Sequence, residues 1–182
     1  MMTNHLVNRT WRQAGDQLSL AYNAALNSPH HGMVLIGAID GFPTRVLQRF
    51  YRSADQAPYT GISTLFKIEL QQLKTGSDFM LQPSGRVLRR LHVFNRRDIF
   101  VGEREWDHAF VVRGADPEAA RRVLTSERRV TIAGASPHRL RWMLRGTDLT
   151  HSFRHLATEE QLIVTRVQQL IRVAKAITLG RT

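Results

Sequence analysis

Apolar residues recur along the N-terminal part of the chain with two different periods. Trp11, Ala14, Leu18, Ala21 and Ala25 follow one another at spacings of 3, 4, 3 and 4, which is one stripe of an α-helix. The stripe predicts a helix over residues 10–26. Thr10 and Gln13 have capping-box spacing, Gly15 weakens the helix, and Asn27-Ser28-Pro29 ends it. The period then changes. Residues 33–39 are a continuous apolar run closed by Asp40-Gly41, a buried strand followed by a tight turn. Residues 44–51 return as a second strand, and residues 61–70 alternate Ile62, Thr64, Phe66, Ile68 and Leu70 with more polar neighbours. A short strand over residues 79–82 follows the Thr75-Gly76-Ser77-Asp78 turn. Together these segments predict an antiparallel meander with one face on the N-terminal helix.

In the second half, Val87, Leu88, Leu91 and Phe94 fit either a basic amphipathic helical segment or a strand. Residues 109–113 alternate as a strand with Phe110 and Val112 inward. Asp116-Pro117-Glu118 is a helix start, with Asp as N-cap, Pro at the first helical position and an acid in the first turn. That helix is predicted to end within residues 125–128. Leu140, Trp142 and Leu144 alternate with Arg139, Arg141, Met143 and Arg145, giving a strand with one apolar and one arginine-rich face; residues 149–154 return from a Gly146-Thr147-Asp148 turn. The last element is a helix along Ile163, Val167, Leu170, Ala174 and Ile177, with Thr158 and Gln161 at its start. Leu162, Val164, Ile171 and Val173 make it apolar on more than one stripe, which predicts deep burial.

The fold class that follows is α+β, a mainly antiparallel sheet packed against an N-terminal helix and a long C-terminal helix. Residues 1–182 are expected to form a single domain, with 98–106 as the place where a subdomain break would fall.

Charge changes this picture. Lys plus Arg number 26 against 15 Asp plus Glu, a formal net charge of +11. The basic residues are 23 Arg and 3 Lys. A GC-rich codon bias would account for that ratio, as would forked recognition of an anion, but the net charge itself predicts an anionic partner. It is unevenly spread. Residues 79–97 hold five Arg and no acid, and residues 121–145 hold seven Arg against Glu127. Arg139, Arg141 and Arg145, with Arg128 and Arg129 just upstream, form the candidate anion-binding or partner-binding set, because residues two apart on a strand share a face. Guanidinium groups fork onto phosphate or carboxylate.

The remaining chemistry is sparse. There is no cysteine, which excludes disulfides and thiol catalysis, and no phosphate-binding or nucleophile-elbow motif. The chain contains no apolar run long enough for a membrane-spanning helix, and its opening residues lack the apolar core of a secretory signal. A cytoplasmic location is the default expectation. His151 and His155 have the i,i+4 spacing of a helical metal pair but fall on a strand end and a loop. Neither a metal nor a cofactor is expected.

One stretch carries a resemblance. Asp98-Ile99, Gly102-Glu103, Trp106-Asp107 and Phe110, leading through a strand to Asp116-Pro117-Glu118 and Leu124-Thr125, resemble the pattern of an uncharacterised prokaryotic domain family. Trp11, Ala14 and Leu18, and Gly37 with Gly41, are similar too, so the resemblance covers about residues 10–130. This chain has Glu103 and Trp106 where that pattern has Asp and Phe. The resemblance implies a domain and no activity. Several members of that family are attached to membrane spans.

The residues of this stretch also have a direct reading. Gly102 suits a tight connection, Trp106 and Phe110 anchor it, and Asp98 and Asp107 accept backbone N–H groups. An acid/base site from Asp98, Glu103, Glu105 and Asp107 would make the chain an enzyme. Against that alternative, the leading expectation is a non-enzymatic basic interaction module docking on an acidic protein or an anionic surface. A nucleic-acid binder using phosphate contacts from the same arginines is the other alternative.

Overall fold

The computed structural model describes residues 2–23, 31–51, 61–71, 79–84, 98–135 and 142–178. Among them are eight strands and five helices, and the class is α+β as the patterning predicts. The chain divides into two compact units, Met1–Glu69 with Thr150–Ile171, and Leu70–Leu149 with Arg172–Thr182. Residues 98–106 lie inside the second unit.

The first unit opens with α1 (Met2–Leu18), followed by β1 (Ala21–Asn23), β2 (His31–Ile39), β3 (Phe42–Tyr51) and β4 (Gly61–Glu69). These four strands are a consecutive antiparallel meander, as predicted. Helix α1 is displaced from its expected position, starting before Thr10 and ending at Leu18 instead of continuing through Ala21 and Ala25. The cause is a hydrogen-bonded closure that needs no glycine. Ser19 turns left-handed at φ 54°. The Leu20 N–H donates to the Gly15 carbonyl at 2.8 Å and the Ser19 N–H to the Asp16 carbonyl at 3.2 Å. This pair of bonds is a Schellman closure, and Leu20 is buried beneath it. Ala21 therefore belongs to a strand. Residues 24–30, 72–78 and 85–97, with the helix stop, the turn and the ambiguous basic segment expected there, lie outside the described residues.

Register explains the core of this unit. Leu35 stands opposite Val46, and Val46 opposite Phe66, so three strands place large apolar groups in one row on one face. All three are essentially without solvent exposure. Strand β8 (Asp148–Phe153) is next to β4 in strand order, and its His151 stacks on Phe66 with ring centroids 5.5 Å apart. Trp11, fully buried on α1, donates its indole N–H to the Ala157 carbonyl at 2.8 Å. The buried Thr64 hydroxyl accepts from the Ala157 N–H at 2.9 Å and donates to the His155 carbonyl at 3.0 Å. Two side chains thus fix the segment that leads into the C-terminal helix.

The register of β2 on β3 shifts between His31 and Val34, and Gln48 fills the irregularity. Its Oε1 accepts from the Met33 N–H at 3.1 Å. A Cβ on Gly32 would collide with that same Oε1 and stand 3.2 Å from the Phe50 ring. Gly32→Ala is expected to displace Gln48, orphan the Met33 N–H and lower stability by about 1–3 kcal/mol, read as a drop in thermal midpoint.

The second unit is built on β5 (Phe79–Pro83), which pairs antiparallel with both β6 (Phe110–Gly114) and β7 (Trp142–Arg145). Leu81 sits opposite Val112 on one side and Leu144 on the other, and all three are buried. Trp106 stacks on Phe110 at 4.0 Å between centroids, and Phe110 meets Trp142 at 6.1 Å. Asp116 caps the next helix as expected, accepting from the Ala119 N–H at 3.0 Å.

Two helices here depart from the expectation. Residues 104–109 form a short helix, α2 (Arg104–Ala109), where a tight connection was expected. Helix α3 (Pro117–Val123) does not run on to residues 125–128; the chain breaks at Leu124 and a new helix, α4 (Ser126–Ala135), begins. Thr125 makes the break, since its hydroxyl accepts from the Arg128 N–H at 3.4 Å as an N-cap. The last helix, α5 (Glu160–Thr178), starts just after Glu159, whose carbonyl accepts from the Ile163 N–H at 3.3 Å. Its second stripe is buried at Val164, Ile171 and Val173.

Candidate functional site

The expected arginine set separates into different environments. Arg128, at the start of α4, is only 7% exposed. Its Nη1 donates to the Val123 carbonyl at 2.8 Å, satisfying an end of α3 that the helix itself leaves open. Arg129 donates through Nη1 to the Leu124 carbonyl at 2.8 Å and through Nε to Glu103 at 2.8 Å. Both therefore hold the α3–α4 corner. Arg139 and Arg141 lie outside the described residues. Arg145 is exposed on β7, with Trp142 and Leu144 buried on the opposite face as the alternation predicts.

Register extends the Arg145 face. Arg145 stands opposite Met80, and Met80 stands opposite Arg113. Arg113 is engaged by Asp98 at 2.6 Å. Two other acids of the Asp98–Asp107 stretch are also occupied. Asp107 accepts from the Val101 N–H at 3.1 Å across a turn that Gly102 makes at φ 88°, and Glu103 holds Arg129. On α3, Glu118 holds Arg121 at 2.5 Å, and Arg121 also donates to the Phe100 carbonyl. These carboxylates organise a corner of the second unit. His151 lies in β8 and His155 in the bend that follows, so their spacing does not put them on one helical face. Among the described residues no group of three His, Asp or Glu is placed to hold a metal ion.

A second basic face, in the first unit, was not singled out in the sequence. Arg45 and Arg49 both stand exposed on β3, and Arg45 lies directly opposite Lys67. Among the described residues no acid pairs with Arg45, Arg49 or Arg145. The signal was present, since Arg45, Leu47 and Arg49 are two apart within a strand. The denser arginine runs elsewhere masked it. Near this unit's edge, burial raises the Tyr22 hydroxyl above its ordinary 10.0, while Arg12, 5.3 Å from the ring centroid, opposes the shift.

No protein-family model matches the chain, and no curated protein matches it. Among solved structures it is similar to the crystal structure of the mycobacterial trehalose monomycolate transport factor A, TtfA. The TM-score is 0.56, with 12% identity over 96% of this chain and 95% of that one. The likeness is one of fold. Among the described residues, no helix is long and apolar enough to cross a membrane.

Proposed function

We propose that the chain is a non-enzymatic basic interaction module whose exposed arginines dock on an acidic protein or another anionic surface. The observation that carries this reading is the division of charge. Asp98, Glu103 and Glu118 each hold a neighbouring arginine. Arg45, Arg49 and Arg145 stand on exposed sheet positions and make no ion pair with an acid among the described residues. These exposed cations, in a chain of formal net charge +11, favour long-range attraction of an anion. Arg145, in the second unit, is the member of the expected set that stands exposed among the described residues. Asp98 and Glu103 each hold an arginine and Asp107 accepts the Val101 N–H, an arrangement that favours binding over acid/base chemistry.

The test is a titration of the labelled protein against polyglutamate, anionic vesicles and a random DNA oligomer, at about 50 and 200 mM salt. Binding to polyglutamate or vesicles that weakens in the Arg45→Gln/Arg49→Gln/Arg145→Gln variant is the expected result. Binding to the oligomer alone, falling log-linearly with salt, replaces this reading with a nucleic-acid one. No binding to any of the three at low salt overturns it.

A further inference from the structure

The meander of the first unit has an outer face whose composition the register fixes. Ile36 lies opposite Arg45, and Arg45 opposite Lys67. One step along, Val34 lies opposite Leu47, and Leu47 opposite Leu65. Beyond these, Arg49 lies opposite Ser63. Alternation puts all of them on the face opposite Leu35, Val46 and Phe66. Ile36 is 39% exposed, Arg45 and Arg49 are exposed, Leu47 and Lys67 are half-buried, and Val34, Ser63 and Leu65 are buried. At the solvent-reaching positions of this face, Ile36 and Leu47 therefore stand beside Arg45 and Arg49. Glu69, at the end of β4, is the acid that alternation places on this face of β2–β4.

We infer that this face is a docking surface for an anionic phospholipid membrane, an inference that rests on the module reading above and names its partner. The argument is one of complementarity. Guanidinium groups fork onto phosphate oxygens, and each arginine beside an anionic leaflet gains from its surface potential. Ile36 and Leu47 stand among the cations. A phospholipid surface presents phosphate and an apolar layer within the reach of one side chain, and so matches both classes of residue. An acidic protein patch supplies carboxylates without the apolar layer behind them. Such docking is peripheral and requires no spanning segment.

Cosedimentation of the full chain with phosphatidylcholine vesicles containing about one third phosphatidylglycerol tests it. The wild type is expected to pellet with these vesicles and not with pure phosphatidylcholine. Arg45→Gln/Arg49→Gln is expected to weaken partitioning about 30-fold, and Ile36→Ser severalfold. Arg122→Gln, on α3 in the second unit, is expected to leave it unchanged. Thermal melts of each variant separate lost binding from lost folding. Undiminished pelleting of a folded Arg45→Gln/Arg49→Gln variant overturns the assignment of the face. Failure to pellet, with polyglutamate still bound through Arg45 and Arg49, overturns the lipid partner and leaves the module reading standing. Failure with every anion overturns both.

Discussion

Trp11→Ala is expected to lower stability by about 3–5 kcal/mol, read as a fall in urea midpoint at unchanged slope. Trp11 has no solvent exposure and shares the inner stripe of α1 with Ala14 and Leu18. Truncation removes one of the largest buried side chains and opens a cavity that close packing closes only in part. It also leaves the Ala157 carbonyl without its indole donor. Trp11→Phe separates the two losses. It keeps most of the ring volume and forfeits the hydrogen bond, so it is expected to cost about 1–3 kcal/mol. A phenylalanine variant as unstable as the alanine one would show that the bond, not the volume, dominates.

Arg128→Ala is expected to cost about 2–3 kcal/mol while leaving anion binding within error of the wild type. Its guanidinium is buried and donates to the Val123 carbonyl at 2.8 Å. Removing it strips a charge-assisted bond from a buried carbonyl and withdraws the apolar stem that packs beside it. The paired measurements are a denaturant midpoint and a polyglutamate titration. A variant of wild-type stability that loses anion binding would return Arg128 to the partner surface.

The contrast between Arg128 and Arg145 shows what patterning along a sequence can and cannot reach. Alternation around Trp142 put Arg145 outward, and the strand bears this out. No comparable rule exists for an arginine at a helix–helix corner, where the same residue type either points to solvent or caps a carbonyl. Strands β2 and β4 were legible because the apolar run of β2 closes on Asp40-Gly41 and β4 alternates with period two. Asp116-Pro117 was legible because a cap and a proline act locally. The end of α1 was not, because Ser19 closes the helix through backbone bonds to Gly15 and Asp16, a conformation that serine adopts rarely and advertises poorly. Helix α4 was missed for a related reason. The Leu124–Thr125 break reads as the end of one helix, and only the Thr125 hydroxyl makes it the start of another. The basic face of β3 lay in plain view at Arg45 and Arg49, but which face of a strand is covered depends on register with its neighbours.

The bond from Trp11 to the Ala157 carbonyl joins residues 146 positions apart in the chain. A helix therefore waits for a segment made 146 positions later to complete its seat. Throughout synthesis the indole and the stripe around it are without their final cover, and local pairing within the β2–β4 meander runs ahead of the closure that secures α1. The first unit so acquires a vulnerable interval on the ribosome, during which nascent chains expose an aromatic surface to chaperones and to one another.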